Sequence, residues 1–169
     1  MCTVIRIISK CLLFLIGIST TGCYSFKGTS ISPDVNTFYV APFDNIAPDA
    51  PPTLPITFSE ALREKILNES RLIFDDEQPD VEFIGTITTW RVSSEAPQPG
   101  ELVAFNRLTI GVRVEYINHR NEAENWKSNF SYFADYSADQ NLLDVQDQLI
   151  EAINEELVNQ IFNKAFTNW

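Results

Sequence analysis

Histidine is nearly missing from this chain: its 169 residues hold one, His119. A zinc site needs several His, Cys or carboxylate ligands converging on one point, and no second histidine exists to help build one. Cysteine is scarce too. Cys2, Cys11 and Cys23 all lie near the start, so the rest of the chain has neither a thiol ligand nor a disulfide framework. A Ser-His-Asp triad has nothing to form around, because His119 sits in the polar turn Asn118-His119-Arg120-Asn121, far from any signalled serine nucleophile. The six glycines fall into no phosphate-cradling spacing. The acidic run Asp75-Asp76-Glu77 with Asp80 lacks the glycine and closing glutamate of a calcium loop and reads as a solvated turn. Carboxylates are spread so widely that spacing singles out no acid–base pair. Basic residues number 12 against 23 acidic ones, a net charge of −11. That balance excludes a general electrostatic footprint for nucleic acid. These absences point to a protein that is not an enzyme and needs no cofactor or metal.

What is present begins with a leader. Arg6 and Lys10 supply a positive segment, and Cys11–Ile18 supply an apolar one, the pattern of a secretory signal. The apolar stretch is too short to span a bilayer, which takes roughly 20 residues. Thr20-Thr21-Gly22-Cys23 then places a small residue before a cysteine, as at the lipid-modified first residue of bacterial lipoproteins. Thr20 departs from the leucine usual at its position. The expected organisation is a signal at 1–22, a tether at 23–36 lipidated on Cys23, and one domain at 37–169. Loss of Arg6 and Lys10 with the leader takes the charge to −13. Anionic lipid surfaces repel such a chain, so acyl chains must do the anchoring, and stable anchoring takes two or more. Tyr24 and Phe26 fit either the lipid interface or packing on the domain.

The remaining residues predict the order β-α-β-β-β-β-α. Val35–Phe43 reads as a strand ending near Pro42, and 44–55 reads as a loop because of Pro48, Pro51, Pro52 and Pro55. A helix follows with Phe58, Leu62 and Ile66 as its stripe. Pro55 suits its first turn, and Thr57 with Glu60 offers a second possible start. Arg71–Phe74 is a short strand with a weak signal, and Val81–Val92 is β-rich with mixed faces. In Arg107–Tyr116, Leu108, Ile110, Val112, Val114 and Tyr116 alternate with Arg107, Thr109, Arg113 and Glu115. Trp126–Asp135 alternates again. The closing helix over 142–166 repeats Val145, Leu149, Ile153, Leu157 and Ile161 every four residues. These elements imply an α+β two-layer sandwich, with a mostly antiparallel sheet of four to five strands and two helices on one face.

Three phrases then resemble the LptE family: Cys23–Ile31, Asn106-Arg107-Leu108-Thr109-Ile110, and Ile161–Trp169. Members of that family are outer-membrane lipoproteins of lipopolysaccharide assembly. The resemblance implies a lipid anchor at Cys23, a periplasm-facing position at the outer membrane, and a partner, the LptD β-barrel, which the lipoprotein plugs and helps to assemble. Lipopolysaccharide is a possible second partner. Lipid A phosphates call for Arg or Lys. Arg107 and Arg113 share a predicted strand face with Lys127 across a hairpin. That patch reads either as a contact for glycolipid phosphate or the barrel wall, or as the solvated face of a sheet. A shorter phrase, Tyr39-Val40-Ala41-Pro42-Phe43-Asp44-Asn45, is similar to the opening of periplasmic lipoproteins that activate cell-wall synthases or serve secretion assemblies. It supports the alternative of that function.

Overall fold

The computed structural model describes residues 30–95 and 104–167. Strands β1 (Thr37–Val40) and β2 (Asp44–Asn45) precede helix α1 (Leu54–Glu69). Strands β3 (Ile73–Phe74), β4 (Val81–Glu95), β5 (Phe105–Asn118) and β6 (Trp126–Ser137) follow, and helix α2 (Leu142–Phe166) closes the domain. Among the described residues no helix is long and apolar enough to cross a membrane.

Six strands form one sheet in the order β3-β1-β4-β5-β6, with β2 also paired to β4. The α+β sandwich expected from the sequence is present, but two of its details change. The sheet has six strands rather than four to five, and it is mixed. The long β4-β5-β6 meander is antiparallel. In contrast, β1 runs parallel to β3 and β4, and β2 runs parallel to β4. The cause is α1: a helix between neighbouring strands carries the chain back to its starting end, so the strands align in one direction. The proline-rich segment read as a loop holds β2 for the same reason, since Asp44 and Asn45 continue along the edge of β4 beyond Pro42.

One face of the sheet is largely apolar. From β5 it takes Leu108, Ile110, Val112, Val114 and Tyr116, and from β4 it takes Val81, Phe83 and Ile87, all buried. The mixed faces of β4 come from a bulge between Ile87 and Thr89, where the register against β5 shifts. An extra residue reverses which side chains point inward. Phe83 and Ile87 therefore face the core before the bulge, whereas Trp90, opposite Ile110, and Val92, opposite Leu108, lie on that face after it.

Both helices cover this face. α1 buries Phe58, Leu62 and Ile66, and α2 buries Leu149, Ile153, Leu157, Ile161 and Phe166, all in one core. Phe166 meets the rings of Phe83 and Tyr116 at 5.9 and 6.3 Å. Asn141 caps α2 by accepting from the Leu143 N–H, with Asp144 in the first turn and Lys164 in the last, each complementing the helix dipole. α1 starts at Leu54 with Pro55 in its first turn and no side-chain cap. Thr57 is already inside the helix, bonded back to the Thr53 and Leu54 carbonyls.

The described residues ahead of β1 pack onto the two-layer domain. The Ser30 N–H donates to the Phe166 carbonyl at 2.6 Å, Ile31 packs against the core, and Val35 is buried in it. Arg71 clasps this segment through the Ser32 carbonyl and the Asn36 side chain.

Candidate functional site

With one sheet face given over to the helices, the other is left for contact. The side chains of β5 and β6 that alternate with the core rows point there, and pairing register decides which of them meet. Arg107 lies opposite Asp135, Arg113 opposite Asn129, and Glu115 opposite Lys127. The structure thus brings the three predicted cations, Arg107, Arg113 and Lys127, onto one face, away from the helices.

Each has a partner. Arg107 makes a two-pronged contact with Asp135, Nε to Oδ1 at 2.7 Å and Nη2 to Oδ2 at 2.9 Å. Its guanidinium also lies over the Phe133 ring, 3.8 Å from the centroid, with Phe105 at 5.8 Å. The Asp135 hydrogen bonds raise the arginine's pKa further above its already high value, so it stays charged. Lys127 Nζ is 2.6 Å from Glu115 Oε2. Arg113 Nε donates to Asn129 Oδ1 at 3.2 Å, a neutral partner. Of the three cations, Arg113 alone has no carboxylate within ion-pair distance.

The sequence reading overlooked the apolar half of this face. Phe133 is 44% exposed beneath Arg107, and Ile84 is 40% exposed across from Glu115. Phe133 falls on the polar side of the alternation in β6, and that break in pattern was the available signal. The result is an amphipathic sheet surface of paired charges and isolated apolar side chains.

The other sequence candidates lie elsewhere. Cys23 is outside the described residues. His119 is half-exposed, with Nε2 3.6 Å from Glu82 Oε2, in an open hollow shared with Tyr39, Gln78 and Arg120. Among the described residues no group of His, Cys, Asp and Glu could hold a metal ion. Asp80 is not a solvated turn residue. It is 4% exposed and accepts from the Asn36 and Thr37 N–H groups at 2.7 and 3.1 Å and from Arg120 Nε at 2.6 Å. Burial pushes its pKa up, but these donors together outweigh burial and hold it below the usual carboxylate value. Asp80 ties β1 to the β5–β6 turn and is a structural clamp.

Comparison with known proteins gives the frame for this geometry. Similar solved structures include a PelC variant dodecamer from Paraburkholderia phytofirmans, at 11% identity and a TM-score of 0.51, covering 83% of this chain and 94% of that one. The hypothetical protein CT253 from Chlamydia trachomatis is similar at 11% identity and 0.50, covering 78% and 98%. A minor lipoprotein from Acinetobacter baumannii is similar at 8% and 0.50, covering 77% and 91%. Identities this low speak to the shared fold alone. No curated protein matches the chain. The family model for LptE, described as lipopolysaccharide-assembly, matches residues 35–165. That match spans the whole two-layer domain, from the buried Val35 to the last turn of α2, and the chain belongs to the LptE lipopolysaccharide-assembly family.

Proposed function

We propose that this chain is a lipid-anchored, non-enzymatic subunit at the periplasmic side of the outer membrane. There it plugs an LptD-type β-barrel and assists its assembly for lipopolysaccharide export. The observation that carries this reading is the family match over the whole domain. The anchor would be acyl chains on Cys23. Six residues separate Cys23 from Ser30, a reach of at most roughly 25 Å over the seven Cα–Cα steps. Ser30 is held at the C-terminal end of α2, so that end would face the bilayer. A short tether raises the effective concentration of the domain at a barrel mouth. It fits work at the membrane better than reach across the cell wall.

Affinity purification of the tagged lipoprotein from outer membranes is expected to recover a large barrel protein. Recovery of a cell-wall synthase instead would overturn the reading and favour the alternative. Cys23→Ala should move the protein out of the membrane fraction unless the barrel retains it.

The exposed sheet face would be where phosphate or the barrel wall is met. Arg107 and Lys127 already hold carboxylates, so an incoming phosphate would have to compete with Asp135 and Glu115, whereas at Arg113 it would displace only a neutral amide. Arg113→Glu is therefore expected to weaken binding to lipopolysaccharide or the barrel by about tenfold, a loss near 1.4 kcal/mol. Adding Arg107→Glu should weaken it further, because that carboxylate would face Asp135. Binding by the double variant equal to that of the parent, measured in detergent at fixed salt, would remove this face from the function.

A further inference from the structure

The solvent side of the helix layer carries a second feature, independent of the sheet face. α1 and α2 pack together, and between them runs an open groove of about 900 Å³. Apolar contributions come from Ala61, Ile150 and Val158. Its lining extends from Asp147 to Asn159 along α2, roughly 18 Å at the helical rise. A groove of that length suits a polypeptide segment better than a small molecule.

Asn154 lies in this groove and is unusual. It is 5% exposed, yet its side-chain Oδ1 is buried with no hydrogen-bond partner. It is the one such buried side-chain atom among the described residues. Buried acceptors in folded proteins are almost always satisfied, so an orphan needs a reason. The surroundings supply one. The walls present Glu64 and Glu69 from α1, and Asp147, Glu151 and Glu155 from α2. The one cation in the lining, Lys65, is already engaged by Glu69 at 2.6 Å.

We propose that this groove docks a segment of a partner polypeptide through an arginine that donates to Asn154 Oδ1 between the flanking carboxylates. The orphaned Asn154 oxygen calls for a donor, and the acidic walls call for that donor to be a cation. Arginine fits better than lysine. Its planar guanidinium has five N–H donors, enough to serve an amide oxygen and carboxylates together, and its weak hydration lets it pass over apolar side chains. A second copy of this chain is disfavoured, since two surfaces of a chain with net charge −11 would meet.

The test places a photo-reactive side chain at Thr57, and separately at Asn159, in the full-length lipoprotein in its native membrane. Both residues line the groove, one on each helix. The expected result is an adduct with another polypeptide, mapped by mass spectrometry to a peptide containing arginine. Asn154→Leu removes the acceptor while keeping the volume. It should lower adduct yield by about tenfold, the effect of losing one charge-assisted bond. Glu151→Gln with Glu155→Gln changes exposed residues only, leaves the core untouched, and should lower the yield as well. The proposal fails if the adduct is with lipid or a second copy of this chain, if none forms, if the mapped peptide lacks arginine, or if the yield is indifferent to the Glu151/Glu155 pair.

Discussion

Replacing Asp80 with alanine is expected to cost about 2–6 kcal/mol of folding stability, since it leaves two part-buried N–H groups unsatisfied at roughly 1–3 kcal/mol each. Three donors converge on this carboxylate: the backbone N–H groups of Asn36 and Thr37 and the Arg120 guanidinium. The Asp80 N–H in turn donates to Thr37 Oγ1 at 2.9 Å. Alanine leaves two part-buried N–H groups without acceptors at the start of β1, a strand only four residues long. Urea unfolding of both proteins checks this, and a midpoint unchanged by the substitution would contradict it.

The same clamp predicts a pH dependence with a definite sign. Asp80 has a lowered pKa in the folded chain, so the unfolded chain binds that proton more readily. The stabilisation is then fully present above the unfolded value of about 3.9, and it is lost as pH falls through the lower folded value. The stability gap between the parent and Asp80→Asn should stay constant from neutral pH to about pH 5 and close below about pH 4. A gap that persists unchanged into strong acid would mean that Asp80 is not ionised in the folded state.

Gly85→Ala is expected to destabilise the domain by about 1–3 kcal/mol, the usual cost of overpacking a core, and Gly85→Val by more. Gly85 sits between Phe83 and Ile87 on the buried side of β4. A Cβ there would fall 2.1 Å from Phe43 Cε2. The ring has little room to yield. Phe43 is buried, packs on Phe58 with centroids 5.1 Å apart, and has its N–H held by Ser59 Oγ at 2.9 Å. Ser59 Oγ itself donates to the Pro55 carbonyl inside α1. The glycine is therefore required by the close approach of the ring. The double variant Gly85→Ala with Phe43→Leu should lose less stability than the two single costs added together, because leucine vacates the space the methyl needs. Strict additivity in a double-mutant cycle would show that the two positions do not share that space.

The parts of the fold legible in the sequence are those set by local periodicity. The four-residue repeat from Val145 to Ile161 marked α2 and its buried stripe, and the strict alternation from Leu108 to Tyr116 marked the core face of β5. β4 read as mixed because its bulge reverses the alternation partway along, and no local pattern announces an inserted residue. β2 was hidden because two residues carry no period at all. Asp80 looked like the rest of its acidic turn. Its three donors come from residues 40 or more positions away, beyond the reach of any sequence window.

The candidate sites divide in the same way. That Arg107 and Arg113 share a face follows from even spacing in one strand, and Lys127 joins them once the hairpin pairs. That Arg107 is bound to Asp135, and that Arg113 meets an amide instead of a carboxylate, depends on which residues stand opposite one another. Asn154 lies in the buried run of α2 and shows its orphaned oxygen only when α1 is packed beside it. The amino-acid order alone determined the helical and strand periods, the acidic balance and the family phrases, and carried the expectation of a leader ending at Cys23, because each is a property of neighbouring residues or of composition. Tertiary structure alone decided strand direction, register and the partners of Arg107, Arg113, Lys127 and Asp80, because those depend on where the chain returns in space, and a one-residue slip in pairing would send each side chain to the opposite face.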